Sequence, residues 1–270
     1  MATYLADGIG GSLGDSLATS TGMIAICTTW YVSSVSGANA ATNGRDRARP
    51  FATLAYAISQ AVAQDIIVLL SDHTETTSSI AVNKELLIVG EGSSGGIPTV
   101  SIWGNATGSD EILVVSANRV EVRNVRFRPH TAADFGNFIN WTGTDGLMKG
   151  CYLESDQYDD GPKLMVAGDR MTVESTTFIS IGTSIGNRPE QAIATTTGAL
   201  TLFRMRNSTI SGGAYGWASA NTAGYFQATA LQVRIEGLSL LLGADLKLDS
   251  DVTGFINVPT SNGGSQVRWP

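Results

Sequence analysis

The sequence predicts an all-β chain wound as a parallel β-helix, a single-stranded solenoid closed at its N-terminal end by a short capping helix. Two observations carry this. Short runs of β-branched residues alternate with a period of two, and one such pattern recurs along the chain. The clearest case is Ile112 to Phe127, ILVVSANRVEVRNVRF, which reads as two short strands and the start of a third. Ile112 and Val114 are expected to face inward, Ser116-Ala117-Asn118 to turn, and Val120 and Val122 to face inward again. Asn124 then breaks the run, and Phe127 returns to the apolar side.

The recurring pattern is apolar–x–apolar–x–(Asn, Ser or Gly)–x–x–apolar. Val120, Val122, Asn124 and Phe127 fit it. So do Met171, Val173, Ser175 and Phe178; Phe203, Met205, Asn207 and Ile210; and Val233, Ile235, Gly237 and Leu240. A weaker copy has Met148, Gly150 and Leu153, with Gly146 in the first apolar slot. The second apolar positions, Val122, Met148, Val173, Met205 and Ile235, follow one another at steps of 26, 25, 32 and 30 residues. Such a period marks units that bury their apolar face only by stacking on the next. The small or Asn position is expected to turn the corner of each unit, with insertions placed in outer loops. An ordinary β-sandwich with several similar strands is the competing architecture.

Size and composition fit either. The 270 residues suffice for one substantial domain, 43% are apolar, only 15% are charged, and 31 are Gly. The net charge of −7 argues against nucleic acid or an anionic membrane as the main partner. No run approaches the roughly 18 apolar residues of a membrane span, so no membrane insertion is expected. The opening MATYLADGIGGSLGD lacks a basic stretch followed by an apolar block, so no secretory signal is expected. Cys27 and Cys151 are far apart and are expected to stay as reduced, buried thiols.

In chain order, residues 1–29 are rich in Gly, Ser, Ala and Thr, with Met23-Ile24-Ala25-Ile26-Cys27 as the one strand-like run. They read as an N-terminal arm and a possible docking segment. Trp30-Tyr31-Val32 is a strand, and Asn43-Gly44 is a turn pair that needs a left-handed backbone. After Pro50, apolar residues at 51, 54, 55 and 58 follow helical spacing, which predicts a helix over about 52–63 with Thr53 near its start. Such a helix can plug the end of a solenoid, whose first unit would otherwise expose its core. Strands follow at Ile66 to Leu70, Leu86 to Val89 and Thr99 to Trp103, and the repeat region runs to 242. Residues 243–270 break the repeat and read as a C-terminal cap or trimerisation segment.

The entry segment resembles that of pectate-lyase-like right-handed β-helix proteins. The matching residues are Tyr31-Val32, Asn43-Gly44, Pro50-Phe51-Ala52-Thr53-Leu54, Ala57-Ile58, Ile66-Ile67-Val68-Leu69 and Leu86-Leu87-Ile88-Val89-Gly90-Glu91-Gly92. Ser71-Asp72-His73-Thr74-Glu75 departs from the turn usual in that family. The resemblance spans residues 30–128 by motif and 129–242 by repeat pattern alone. It implies a right-handed β-helix. The family holds polysaccharide lyases, glycoside hydrolases, phage tail spikes and non-enzymatic virion surface proteins of tail-spike build.

Two clusters are candidates for chemistry. Glu154-Ser155-Asp156-Gln157-Tyr158-Asp159-Asp160-Gly161 puts four carboxylates, Glu154, Asp156, Asp159 and Asp160, on one loop. They could hold Ca²⁺ through oxygen ligands, although the spacing is not that of an EF-hand. Two of them could act as acid and base in glycoside hydrolysis. The bland reading is a solvated acidic loop. The second cluster is Arg119, Arg123, Arg126 and Arg128 with His130 beside it. Arg123 falls outward by alternation from Val122, and the resemblance implies that a lyase would use such a residue as the base. Ordinary surface ion pairs with Glu121, Glu111 and acids of neighbouring units are the simpler reading. Arg45, Arg47 and Arg49 form a similar loop set. Trp103, Trp141, Trp217, Tyr152, Tyr158, Tyr215 and Tyr225 could offer sugar-stacking platforms, or pack in the core. His73 and His130 are the only histidines, and no His-x-x-x-His, Cys-x-x-Cys or phosphate-loop motif occurs.

These readings lean away from an enzyme. The resemblance implies a phage virion protein, made in the host cytoplasm and carried on the virion surface. It would be a tail-spike-like homotrimer that decorates and stabilises the capsid, or another virion surface, as a cement protein does. Its partners would be itself, the major capsid protein or other virion proteins, and a surface glycan held weakly. No cofactor is called for beyond the weak Ca²⁺ candidate. The alternative is a tail-spike depolymerase, a lyase or glycoside hydrolase, using Asp156, Asp159, Asp160 or Arg123.

Overall fold

The structure is a computed structural model. It describes residues 27–74, 79–104, 111–128, 138–155, 163–180, 191–195, 201–211, 215–219, 226–231, 234–236, 240–242 and 247–248. The chain is all-β apart from one short helix, and its strands form three parallel sheets. Successive strands go to the first, second and third sheet in turn, and then to the first again. Glu121–Arg123, Arg126–Arg128 and Ile139–Trp141 form one such layer. Leu147–Lys149, Tyr152–Ser155 and Lys163–Ala167 form the next. Each strand pairs with the strand one layer on, so every pairing in these sheets is parallel and long-range. A two-stranded antiparallel hairpin, Ser93–Ser94 with Ile97–Pro98, stands apart from them.

The core lies between the three sheets and is filled by alternate residues of all of them. Val122, Met148 and Val173 come from the first sheet, Phe127, Leu153 and Phe178 from the second, and Val115, Trp141 and Met165 from the third. The expected inward phase of the strand Leu113–Val115 was the wrong one. Leu113 and Val115 face inward and Val114 lies outward, while Ile112 is buried just before the strand. Four apolar residues in a row carry no alternation, so the sequence could not choose between the two faces.

The corner is where the repeat has its physical meaning. Asn124, Gly150, Ser175 and Asn207 all have left-handed backbones, with φ of 53°, 63°, 51° and 48°. The N–H groups of the first three point along the stack. Asn124 donates to the Lys149 carbonyl, Gly150 to that of Glu174 and Ser175 to that of Arg206, each at 2.9 Å. Asn and Gly enter this conformation at least cost. The Asn124 side chain adds bonds from Nδ2 to the carbonyls of Gly90 and Gly92, both at 2.7 Å. The next residue at each corner turns inward, giving a buried column of Val125, Cys151, Thr176 and Ser208. The Thr176 Oγ1 donates to the Glu174 carbonyl at 3.1 Å, and the Ser208 Oγ to that of Arg206 at 2.7 Å. The Cys151 Sγ makes the corresponding contact with Lys149 at 3.5 Å.

Register supports three of the four repeat steps: Val122 pairs with Met148, Met148 with Val173, and Val173 with Met205. The fourth needs correction. Met205 pairs with Ala230, and Ile235 pairs with Ile210 in the second sheet. The true strand, Phe226–Leu231, puts Ala at two positions that hold larger residues in the layer before, so its signal was faint. The weak copy at Gly146 also has a cause. A Cβ there would lie 2.5 Å from the Trp141 ring, so the indole fills the space that Val120 and Met171 fill in adjacent layers.

The helix is Leu54–Gln60, shorter than the expected 52–63. Ala52 and Thr53 are held instead by the Asn39 side chain, and Thr53 is the N-cap, accepting from the Tyr56 N–H at 3.2 Å. The far end stops because Asp65 takes the Val62 N–H at 2.9 Å. Lys84 donates to the carbonyls of Ile58, Ser59 and Ala61 at 2.8, 3.1 and 2.7 Å, where a cation suits the helix C-terminus. Leu54, Ala57 and Ile58 pack into the core, and the helix touches the leading strands of the first and third sheets. The leading strand of the second sheet meets it through His73, whose Nε2 accepts the Leu54 N–H at 3.2 Å. At the other end the first sheet continues past 242, because Lys247–Leu248 pairs with Gln227 and Ala228. Most of the expected cap segment, and most of the arm 1–29, lie outside the described residues. Thr29 already belongs to the first strand.

Two tests follow from the corner. Asn124→Ala loses the tolerated left-handed residue and two side-chain bonds, and should cost about 2–3 kcal/mol in urea unfolding, whereas Asn124→Gly should cost about 1 kcal/mol. The second concerns Cys151, whose burial pushes its thiol from 9.0 up to about 12. Above pH 9 the unfolded chain therefore loses this proton while the folded chain keeps it. The contribution is complete below about pH 9 and is lost toward pH 12, by up to about 1.4 kcal/mol per pH unit. Comparing melting temperatures between pH 8 and 11, Cys151→Ser should fall less steeply than the parent chain.

Candidate functional site

The outer face of the second sheet concentrates the candidate side chains. Ser101–Trp103, Arg126–Arg128 and Tyr152–Ser155 are adjacent there. Ile102, Phe127 and Leu153 fill the core, so alternation turns Trp103, Arg126, Arg128, Tyr152 and Glu154 outward. Register stacks Arg128 on Trp103 and Arg126 on Tyr152. The Arg128 guanidinium lies 4.3 Å from the Trp103 ring centroid, and that of Arg126 lies 5.4 Å from the Tyr152 ring.

Glu154 sits between the two arginines and is buried. Its Oε2 accepts from the Arg126 Nε at 2.9 Å and also from a terminal nitrogen of the same guanidinium. Its Oε1 lies 3.5 Å from Arg128. Two guanidiniums thus share one carboxylate and leave one net positive charge, with both arginines still partly exposed. Burial, and then the Glu154 carboxylate, push the Tyr152 phenol above its ordinary value, opposed by Arg126. Chemically, the cluster can offer spare N–H donors to an anionic group. It is poorly arranged for sugar stacking at Trp103, because Arg128 already lies over that ring.

The four arginines expected to act together are divided among three surfaces. Arg123 is on the outer face of the first sheet, paired with Glu121 at 2.5 Å, and its side chain is only 13% exposed. Arg119 lies in the turn before that strand and pairs with Glu85 at 2.6 Å. Glu111 is engaged elsewhere, accepting from the Asn140 side chain at 3.3 Å. His130, Asp156, Asp159 and Asp160 lie outside the described residues, and so does the Ca²⁺ candidate apart from Glu154. Among the described residues, no group of three His, Cys, Asp or Glu side chains could hold a metal ion.

The other candidates separate in the same way. Trp141 is fully buried in the core and is no sugar platform. Tyr158 and Tyr225 lie outside the described residues; of Tyr215 and Trp217 only the strand is described. Arg45 lies over Trp30, Arg47 pairs with Glu91, and Arg49 pairs with Asp46 at 3.6 Å. Cys27 and Cys151 are both free thiols, but only Cys151 is fully buried.

Sequence reasoning missed two charge arrangements. Asp65 is buried and accepts from the Thr28 N–H at 2.8 Å, the Trp30 Nε1 at 2.8 Å and the Val62 N–H at 2.9 Å. It ties the first strand to the second. The turns before the first-sheet strands, at Arg119, Asp145 and Arg170, are left-handed too and carry an alternating ladder. Arg170 clasps Asp145 through two bonds, of 2.7 and 2.8 Å, and this holds the Asp145 carboxyl below its ordinary value. The sequence signal was present as a charge alternating in sign at the layer spacing, one residue before each apolar slot.

No protein-family model matches the chain, and no curated protein or solved structure matches it.

The Glu154 clamp makes a direct prediction. Glu154→Gln leaves two arginines facing one another around a neutral amide and should destabilise the fold by about 2 kcal/mol. Adding Arg128→Gln should restore part of that loss in urea unfolding, since the repulsion goes with it.

Proposed function

We propose that the chain is a right-handed parallel β-helix that assembles as a homotrimer and serves as a non-enzymatic phage virion protein of tail-spike-like build. It would decorate and stabilise the capsid or another virion surface. The observation that supports this reading best is the use made of Arg123. A lyase base must be accessible to its substrate, whereas this guanidinium is held against Glu121 and is largely withdrawn from solvent. The same holds along the outer faces. Arg126 with Glu154, Lys149 with Glu174 and Arg170 with Asp145 spend their charge on joining one layer to the next. That is the economy of a stiff rod rather than of a cleft. In the proposed mechanism the stack supplies the rod, and threefold contacts between copies present it to the major capsid protein.

The depolymerase reading retains one observation in its favour. Arg126 and Arg128, beside Trp103 and Tyr152, could hold an acidic glycan next to the loop bearing Asp156, Asp159 and Asp160.

Quantitative mass spectrometry of purified particles from the source decides between them. A copy number within a small factor of the major capsid protein is expected. A handful of copies per particle would favour the depolymerase, which Asp159→Ala and Asp160→Ala should then inactivate without unfolding. Absence from particles would overturn both, and sedimentation of the isolated protein as a monomer would remove the trimer.

A further inference from the structure

The outer face of the first sheet changes its chemistry abruptly along the stack. Trp30, Ile67, Ile88 and Val122 face the core, so their neighbours in each strand face outward. In the strands Ile66–Leu69 and Leu87–Gly90 the outward residues are Ile66, Val68, Leu87 and Val89. They form an apolar cluster of their own, separate from the core, with Tyr31, Leu70 and Cys27 packed against it. One layer later the same two rows hold Glu121 and Arg123. The four apolar side chains are 7%, 2%, 6% and 9% exposed, nearly as dry as the core itself. A parallel sheet that is apolar on both faces has to be covered on both.

We propose that the cover is the N-terminal segment of this same chain, with Met23-Ile24-Ala25-Ile26 laid across Ile66, Val68, Leu87 and Val89. The tether is in place. Cys27 already packs on the cluster, and the chain before it continues from that point. The length fits as well. Three strands span about 10 Å across the sheet, and four extended residues reach about 13 Å. The run is the one strand-like apolar stretch of the first 26 residues, and alternation would put Ile24 and Ile26 on a single face. The size of the patch argues against a separate partner. Stable interfaces bury on the order of 800 Å² per partner, far more than four side chains supply. A tethered segment meets the patch at millimolar effective concentration without any such area. The charged pair Glu121 and Arg123 in the next layer marks where the cover ends. This inference is independent of any virion role. It assigns to the chain's own sheet the end of an arm otherwise read as reaching for a partner.

Thiol labelling of the full chain tests it. In a Cys27→Ser background, Leu87→Cys places a reporter under the proposed cover. Buried Cys151 should stay unlabelled as long as the fold is intact. Labelling at position 87 should be at least ten-fold slower in the full chain than in a chain lacking residues 1–26. Full-length Ile24→Asp/Ile26→Asp should label as fast as the truncated chain, and serves alone if truncation prevents folding. Equal rates in the full chain and in these variants would overturn the proposal. So would protection that disappears on dilution, because a second copy would then be the cover.

Discussion

Everything in this structure depends on a left-handed corner that repeats in register. A chain that lays strands in three sheets must change direction sharply after each strand of the first. It does so in one residue, at Asn124, Gly150, Ser175 and Asn207. For a residue with a side chain that backbone costs roughly 1–2 kcal/mol. The cost is offset because the same geometry aims the N–H of Asn124, Gly150 and Ser175 at a carbonyl of the next layer. A corner in isolation would be strained, with an unpartnered donor. Stacked, each corner satisfies its neighbour, which ties the local conformation to the presence of the adjacent layer.

The corner also explains why polar residues enter the interior. The residue after it points inward close to the carbonyl two positions back, which also accepts the corner N–H of the preceding layer. Val125 fills that place with hydrocarbon alone, while Cys151, Thr176 and Ser208 fill it and also reach the carbonyl. Small residues with one donor suit the space, and their burial is satisfied rather than costly. Outside, the same repetition brings side chains of adjacent layers within reach at every step. Opposite charges at matching positions then join the layers, as Glu85, Arg119, Asp145 and Arg170 do. The left-handed corner after each of these strands thus fixes the inner polar column, and the left-handed turn before the same strand carries the outer ion ladder.

How much of this was legible follows from the same physics. The Asn, Ser or Gly slot was readable because few residues tolerate a left-handed backbone, so the sequence is restricted there. The inward positions Val120, Val122 and Phe127 were readable because polar residues separate them. Legibility failed where a feature depends on a neighbouring layer. Ala230 carries no apolar signal of its own, and only its pairing with Met205 shows that it continues the column. Gly146 looks like a defect until Trp141, from another sheet, is found in the space beside it. Asp65 and Lys84 are ordinary charged residues in the sequence, and become a strand tie and a helix cap only through partners brought in by the fold. Of the candidate site, Arg126 and Glu154 were both singled out, but their pairing across 28 positions was invisible without the register.

The division of the four arginines carries the functional consequence. Along the sequence they are a basic cluster, and a basic cluster suggests a ligand. In the fold, Arg119 is at the turn with Glu85, Arg123 is on one sheet with Glu121, and Arg126 and Arg128 are on another, where they share Glu154. A charge that already has a partner can receive a ligand only by giving that partner up. At Glu154 the exchange would strand a buried carboxylate, a cost of several kcal/mol that a weakly bound anion does not return. Any anion met here is therefore bound by the spare donors at the rim, beside an intact clamp. Rim contacts of that kind give modest affinity and leave the clamp, and the layers it joins, undisturbed.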